Sequence, residues 1–193
     1  MTLMMNKGLL AILLVLYVFG CKEKKKQNAA DFFPVTTYLK GQIAQMDSSV
    51  ASIIMINRRD SVVDTTYINK EEFKRYASEF LQLPDISSDE LKDDYEVANL
   101  YDDLLNAFVF TYTTKEPDNE IKKQDVIVEP SEAEKSIIKA IAIDKWVTKG
   151  DSTVHKNMLW EANRRFLIVT KVEKPNQPEK VSVVEVKWND FTL

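Results

Sequence analysis

The chain has 193 residues, with 26 lysines and arginines against 30 aspartates and glutamates, one histidine and one cysteine. Beyond Ala30 the balance is 21 basic to 29 acidic residues, a net charge of −8. That argues against nucleic acid as a partner, because phosphate recognition needs a clustered positive surface. A single cysteine excludes an internal disulfide, so stability must come from the core.

Lys7 supplies one positive charge ahead of an uncharged apolar run, Gly8 to Gly20, of 13 residues. A helix needs roughly 20 apolar residues to span a bilayer. The run therefore reads as the apolar region of a signal peptide covering residues 1–20. It stops at Cys21, and a charged stretch, Lys22-Glu23-Lys24-Lys25-Lys26-Gln27-Asn28-Ala29-Ala30, follows at once. Residues 21–30 are expected to be a solvated tether, its lysines within reach of anionic headgroups.

The four residues Val18-Phe19-Gly20-Cys21 resemble the lipobox of bacterial lipoproteins. Val18, Gly20 and Cys21 match that motif, while Phe19 is bulkier than is usual there. The resemblance implies a diacylglyceryl group on the Cys21 thiol and cleavage directly before it. The membrane then becomes a partner through lipid on Cys21. One acyl chain binds only marginally, at about 0.8 kcal/mol per buried methylene, so two or three chains are needed for a stable anchor. Lys22 stands where enteric-type lipoproteins carry an inner-membrane retention aspartate, which by analogy favours the outer membrane.

Residues 31–193 are long enough for one domain, expected to bury about two thirds of its unfolded surface. Asp31 ahead of Phe32-Phe33-Pro34 is expected to cap a first helix, on which Val35, Leu39, Ile43 and Met46 recur at helical spacing. Ile53 to Ile56 and Val62 to Tyr67 form a hairpin pattern around Asn57-Arg58-Arg59-Asp60. Asn69 and Glu72 make a capping box for a second helix bearing Phe73, Tyr76, Ala77, Phe80 and Leu81 on one face, closed by Pro84.

After the acidic segment from Ser87 to Asp94 the pattern turns to strands. These are Tyr95–Tyr101, Leu105–Thr114, Ile121–Glu129, Lys135–Val147, Ser152–Glu161, Arg164–Glu173 and Lys180–Trp188. Turn residues at Glu116–Asn119, Lys149–Asp151 and Pro175–Pro178 separate several of them. Short connections favour antiparallel pairing. The expected class is α+β, with one or two N-terminal helices packed on a curved antiparallel sheet of about six to eight strands.

The stretches Asp31-Phe32-Phe33-Pro34-Val35-Thr36-Thr37-Tyr38-Leu39-Lys40-Gly41-Gln42-Ile43 and Leu105-Asn106-Ala107-Phe108-Val109-Phe110-Thr111-Tyr112 resemble small uncharacterised lipoproteins of Bacteroidota. The resemblance implies a small helix-on-sheet domain, similar to cystatin-like or β-lactamase-inhibitor-like folds. It brings no activity with it.

Catalytic chemistry is sparse. His155 is the only histidine, and strand parity sets it with Thr153, Asn157 and Glu161, opposite Val154, Met158 and Trp160. Zinc usually takes three or four His, Cys or carboxylate ligands, and the chain offers one histidine and, with Cys21 lipidated, no free thiol. Only Gly41 and Gly150 remain after the signal segment, too few for a phosphate-cradling loop. No cofactor is expected. The acidic pairs Glu71-Glu72, Asp93-Asp94 and Asp102-Asp103 suit helix starts and turns, although two carboxylates across a cleft could serve a glycosidase. Calcium's glycine-containing acidic loop is absent.

Trp146, Trp160 and Trp188 are the candidate binding aromatics, since aromatics dominate interface energetics, with core packing as the competing role. The expectation is a non-catalytic binding or accessory module in the cell envelope, engaging an envelope protein or small ligand. An envelope hydrolase using paired carboxylates is the alternative.

Overall fold

A computed structural model describes residues 32–130 and 137–188. The apolar run, the Val18–Cys21 motif, the tether and Asp31 lie outside the described residues. Helix α1 spans Val35–Ser48, and its buried stripe is Val35, Leu39, Ile43 and Met46. The residue before it is Pro34, with no side-chain cap. The residue in the capping position is thus Pro34 and not the expected Asp31.

Strands β1 (Ile53–Arg59) and β2 (Val62–Ile68) form the expected hairpin, with Asp60 at φ 54° in the turn. The turn sits later than Asn57–Asp60, because Asn57, Arg58 and Arg59 extend the strand and pair with Asp64, Val63 and Val62. Helix α2 (Lys70–Leu81) begins with a complete capping box. Asn69 Oδ1 accepts the Glu72 N–H at 2.9 Å, and Glu72 Oε2 accepts the Asn69 N–H at 3.1 Å.

Seven further strands follow: β3 (Tyr95–Asp102), β4 (Ala107–Thr114), β5 (Ile121–Glu129), β6 (Ile137–Lys149), β7 (Ser152–Glu161), β8 (Arg165–Glu173) and β9 (Lys180–Lys187). All nine join one antiparallel sheet in the order β2-β1-β9-β8-β7-β6-β5-β4-β3. The expected six to eight strands are therefore exceeded. The early hairpin does not stand apart, because β1 pairs with the last strand, β9.

Period-2 alternation divides the sheet into two faces. One face is covered by the helices and carries the core. There Phe73 and Phe80 of α2 meet Trp160, Phe166 and Trp188 with ring centroids 5.2–6.5 Å apart. At the other end of this face Phe32 stacks on Tyr112 at 5.1 Å, and the Phe33 N–H donates to the Tyr112 hydroxyl at 3.0 Å. Tyr95 donates its hydroxyl to the Ile121 carbonyl at 2.9 Å, and burial first of all raises its pKa to about 12. Among the described residues no helix is long and apolar enough to cross a membrane.

Candidate binding surface

The other face of the sheet is open: the buried core lies on the helix side, and the odd-numbered residues of β7 and β8 point away from it. Its chemistry is unusual for a solvated sheet face. Leu159 on β7 and Leu167 on β8 face each other, and Leu159 also faces Ala142 on β6. With Val169 they floor a hollow of about 410 Å³. A second hollow, about 500 Å³, shares Leu159 and continues over Ala140, Ile127 and Leu105. Hydrocarbon in such a place gains nothing from water, so a face of this kind is normally covered or used.

Polar side chains frame the first hollow. Asp144 accepts hydrogen bonds from Trp146 Nε1 at 2.9 Å and Asn157 Nδ2 at 3.4 Å. Asp125 accepts from Thr111 Oγ1 at 2.6 Å and Lys123 Nζ at 2.8 Å.

Next to this lies a ladder of charges across four strands. Arg165 reaches Glu161 at 2.6 Å and Glu185 at 2.7 Å, and Arg58 reaches the other oxygen of Glu185 at 3.1 Å. Glu185 is nearly fully buried. Burial, the largest single influence, pushes its pKa up, but the hydrogen bonds from Arg165 and Arg58, with the charges of Lys187 and Arg165, bring it below the ordinary range. Arg165 is held protonated, chiefly by its hydrogen bond to Glu161. The ladder is saturated with internal partners and pins β1, β9, β8 and β7 together.

The three tryptophans part company. Trp146 is on the open face, 43 % exposed and stacked on His155. Trp160 and Trp188 are buried at the centre of the aromatic core. They therefore offer no surface to a ligand, and their candidacy as binding aromatics is withdrawn. Both face α2, which the parity of β7 had already implied for Trp160. His155 shares its face with Thr153 and Asn157, as parity required, but it is half-covered by Trp146.

At least one carboxylate of each sequence-adjacent acidic pair already holds a partner. Glu72 belongs to the capping box, and Glu71 pairs with Lys74 at 3.6 Å. Asp94 accepts from Asn119 Nδ2 at 3.1 Å. Asp102 accepts the backbone N–H groups of Leu104 and Leu105 at 2.9 and 3.0 Å. The carboxylates that share a hollow, Asp125 with Asp144 in the first and Glu129 with Glu161 in the second, are far apart in sequence, and no local pattern connects them. The apolar floor is legible in part: Phe166-Leu167-Ile168-Val169 is apolar without alternation, as expected of a strand with two dry faces.

Smaller hollows lie on the helix side. One, about 320 Å³, opens between Phe33, Pro34, Phe110 and Val128 at the start of α1. Another, about 190 Å³, lies between α2 and β6–β7, where Lys156 pairs with Glu79. Among the described residues no group of three or more His, Cys, Asp or Glu is placed to hold a metal ion. Compared with known families, curated proteins and solved structures, the chain matches none closely enough to be counted a relative.

Proposed function

We propose that this chain is a lipid-anchored envelope protein whose domain acts by binding along the open face of its sheet. The observation that carries the reading is the pair of hollows sharing Leu159, floored by aliphatic side chains and edged by Asp125, Asp144 and Asn157. A ligand suited to it is elongated and mostly apolar, with hydrogen-bonding groups along one side. Val18-Phe19-Gly20-Cys21 and the charged tether support attachment to a membrane, the outer membrane being favoured. The layering of helices on one face of a curved antiparallel sheet supports a shape akin to cystatin-like or β-lactamase-inhibitor-like folds.

The test uses an apolar reporter dye with the full chain. Its fluorescence is expected to rise on the wild type and to stay low on Leu159→Glu, with Val50→Glu as a surface control. Equal brightness on all three would refute the groove. Mass spectrometry of the mature amino terminus checks the anchor, where an unmodified Cys21 removes that part of the reading.

The hydrolase alternative has one observation in its favour, that Asp125 and Asp144 line the same hollow. Its difficulty is chemical. A general acid must present its carboxyl to the substrate, whereas Thr111 and Lys123 occupy both oxygens of Asp125, and Trp146 and Asn157 converge on one oxygen of Asp144. Turnover of an envelope polysaccharide that is lost in both Asp125→Asn and Asp144→Asn would reverse the preference.

A further inference from the structure

Strand β2 is the outermost strand of the sheet and is exposed along its length except at Ile68. A free edge presents a row of unpaired N–H and C=O groups, and proteins ordinarily blunt such edges with lysine, proline or a bulge. Here none of these is present. The sequence is Val62-Val63-Asp64-Thr65-Thr66-Tyr67-Ile68, and its register with β1 is uninterrupted over all seven residues. Val62, Val63 and Tyr67 are 67, 61 and 75 % exposed. The opposite edge, β3, is charged by comparison, carrying Glu96 and Asp102 and following Asp93 and Asp94.

We propose that β2 is a self-pairing edge, and that two copies of the chain join antiparallel along it about a two-fold axis at Thr65. In that register each residue meets one whose number completes the symmetry. Val63 of one copy faces Tyr67 of the other, a β-branched residue against an aromatic, on the open side of the sheet. Thr65 faces its own counterpart between these two pairs. On the helix side Val62 faces Ile68, and Asp64 faces the Thr66 hydroxyl, which can donate to it. These are the cross-strand combinations that stabilise antiparallel pairs, and no like charges are opposed. Centring the axis on Asp64 would set the two carboxylates against each other, which disfavours that register.

A two-fold axis perpendicular to the sheet preserves faces. Both helix-covered faces, and with them both copies of Phe32 where the described chain begins, stay on the same side of the joined sheet. The pairing does not depend on the anchor. It is nonetheless compatible with two tethers reaching one membrane, where confinement would raise the effective concentration of partners.

The experiment exploits the cysteine count. In the full chain carrying Cys21→Ser, Thr65→Cys introduces the sole thiol. Directly opposed residues in an antiparallel pair have Cα atoms about 4.5–5.5 Å apart, inside disulfide range. Asp64→Cys is the control: in the same register its two Cα atoms are about 8 Å apart, too far to bridge. Mild oxidation is expected to convert Thr65→Cys to a covalent dimer and to leave Asp64→Cys at least tenfold slower. Val63→Lys, at an exposed position that leaves the core untouched, is expected to make the otherwise wild-type chain monomeric.

Three results would overturn the inference. One is a monomeric wild-type chain at about 100 μM, where a dissociation constant near 10 μM would still leave most chains paired. Another is cross-linking at comparable rates at both positions, or, for the wild-type chain without cross-linking, a concentration-dependent series of species beyond the dimer, which would mean head-to-tail β2–β3 association. The third is a monomer whose β2 amides are protected from hydrogen exchange, which would mean that another segment of the same chain covers the edge.

Discussion

Trp146 lies face to face with His155, their ring centroids 4.0 Å apart and their planes 14° from parallel. The two residues are direct cross-strand partners on β6 and β7. Aromatic pairs add about 0.5–1.5 kcal/mol beyond the area they bury, so His155→Ala is expected to lower stability by about 1 kcal/mol. Because Trp160 and Trp188 are buried, only the Trp146 share of the emission is open to iodide. Trp146→Phe should abolish quenching; an unchanged quenchable fraction would contradict the placement.

The aromatic core should respond on a different scale. Trp160 and Phe80 are fully buried and in edge contact at 5.2 Å. Replacing either by alanine leaves a cavity that the neighbouring rings cannot refill, with an expected loss of about 3–5 kcal/mol. Urea denaturation followed by circular dichroism measures it. A loss below that of His155→Ala would show that α2 does not seal the sheet as described.

Asn69→Ala removes the side-chain acceptor for the Glu72 N–H while leaving the buried face of α2 intact. The expected cost is about 1 kcal/mol. Glu72→Gln should cost much less, since glutamine can complete the reciprocal bond. Equal losses in the two variants would mean that charge at the helix start matters more than the hydrogen bonds.

Acid sensitivity follows from Glu185. Its pKa in the folded chain is lowered, so the group contributes stability above the unfolded carboxylate value near about 4.3, and that contribution disappears as pH falls through the folded value. Glu185→Gln takes the carboxylate from Arg58, leaves Arg165 with Glu161 alone, and should cost about 1.5 kcal/mol at neutral pH, both arginines being partly exposed. The gap between variant and wild type should then narrow below pH ~4. Thermal midpoints taken from neutral to acidic pH test this, and a gap that widens with acid would be the wrong sign.

Element type was legible where local chemistry is strong. Val35, Leu39, Ile43 and Met46 declare α1 by spacing, and Asn69 with Glu72 declares the start of α2 by hydrogen-bonding logic that is entirely local. All nine strand segments are readable in the same way. Their order is not, because the pairing of β1 with β9 joins residues such as Met55 and Val186, which no local pattern connects. The surface was harder still. Trp160 could be placed by parity, but Trp188 sits just past the end of β9, where alternation no longer guides. Asp125 and Asp144 become neighbours only once β5 and β6 are aligned in register through two irregularities.

The partnership of β1 with β9 also sets the order of events in the life of the chain. Six hairpin connections from β3 to β9 close over short loops, yet the first hairpin has nowhere to dock until the last strand arrives. A polypeptide emerging amino end first must therefore carry β1 and β2 without their sheet neighbour until β9 has been made. Such late sealing makes β9 (Lys180–Lys187) the clasp without which β1 and β2 have no place in the sheet.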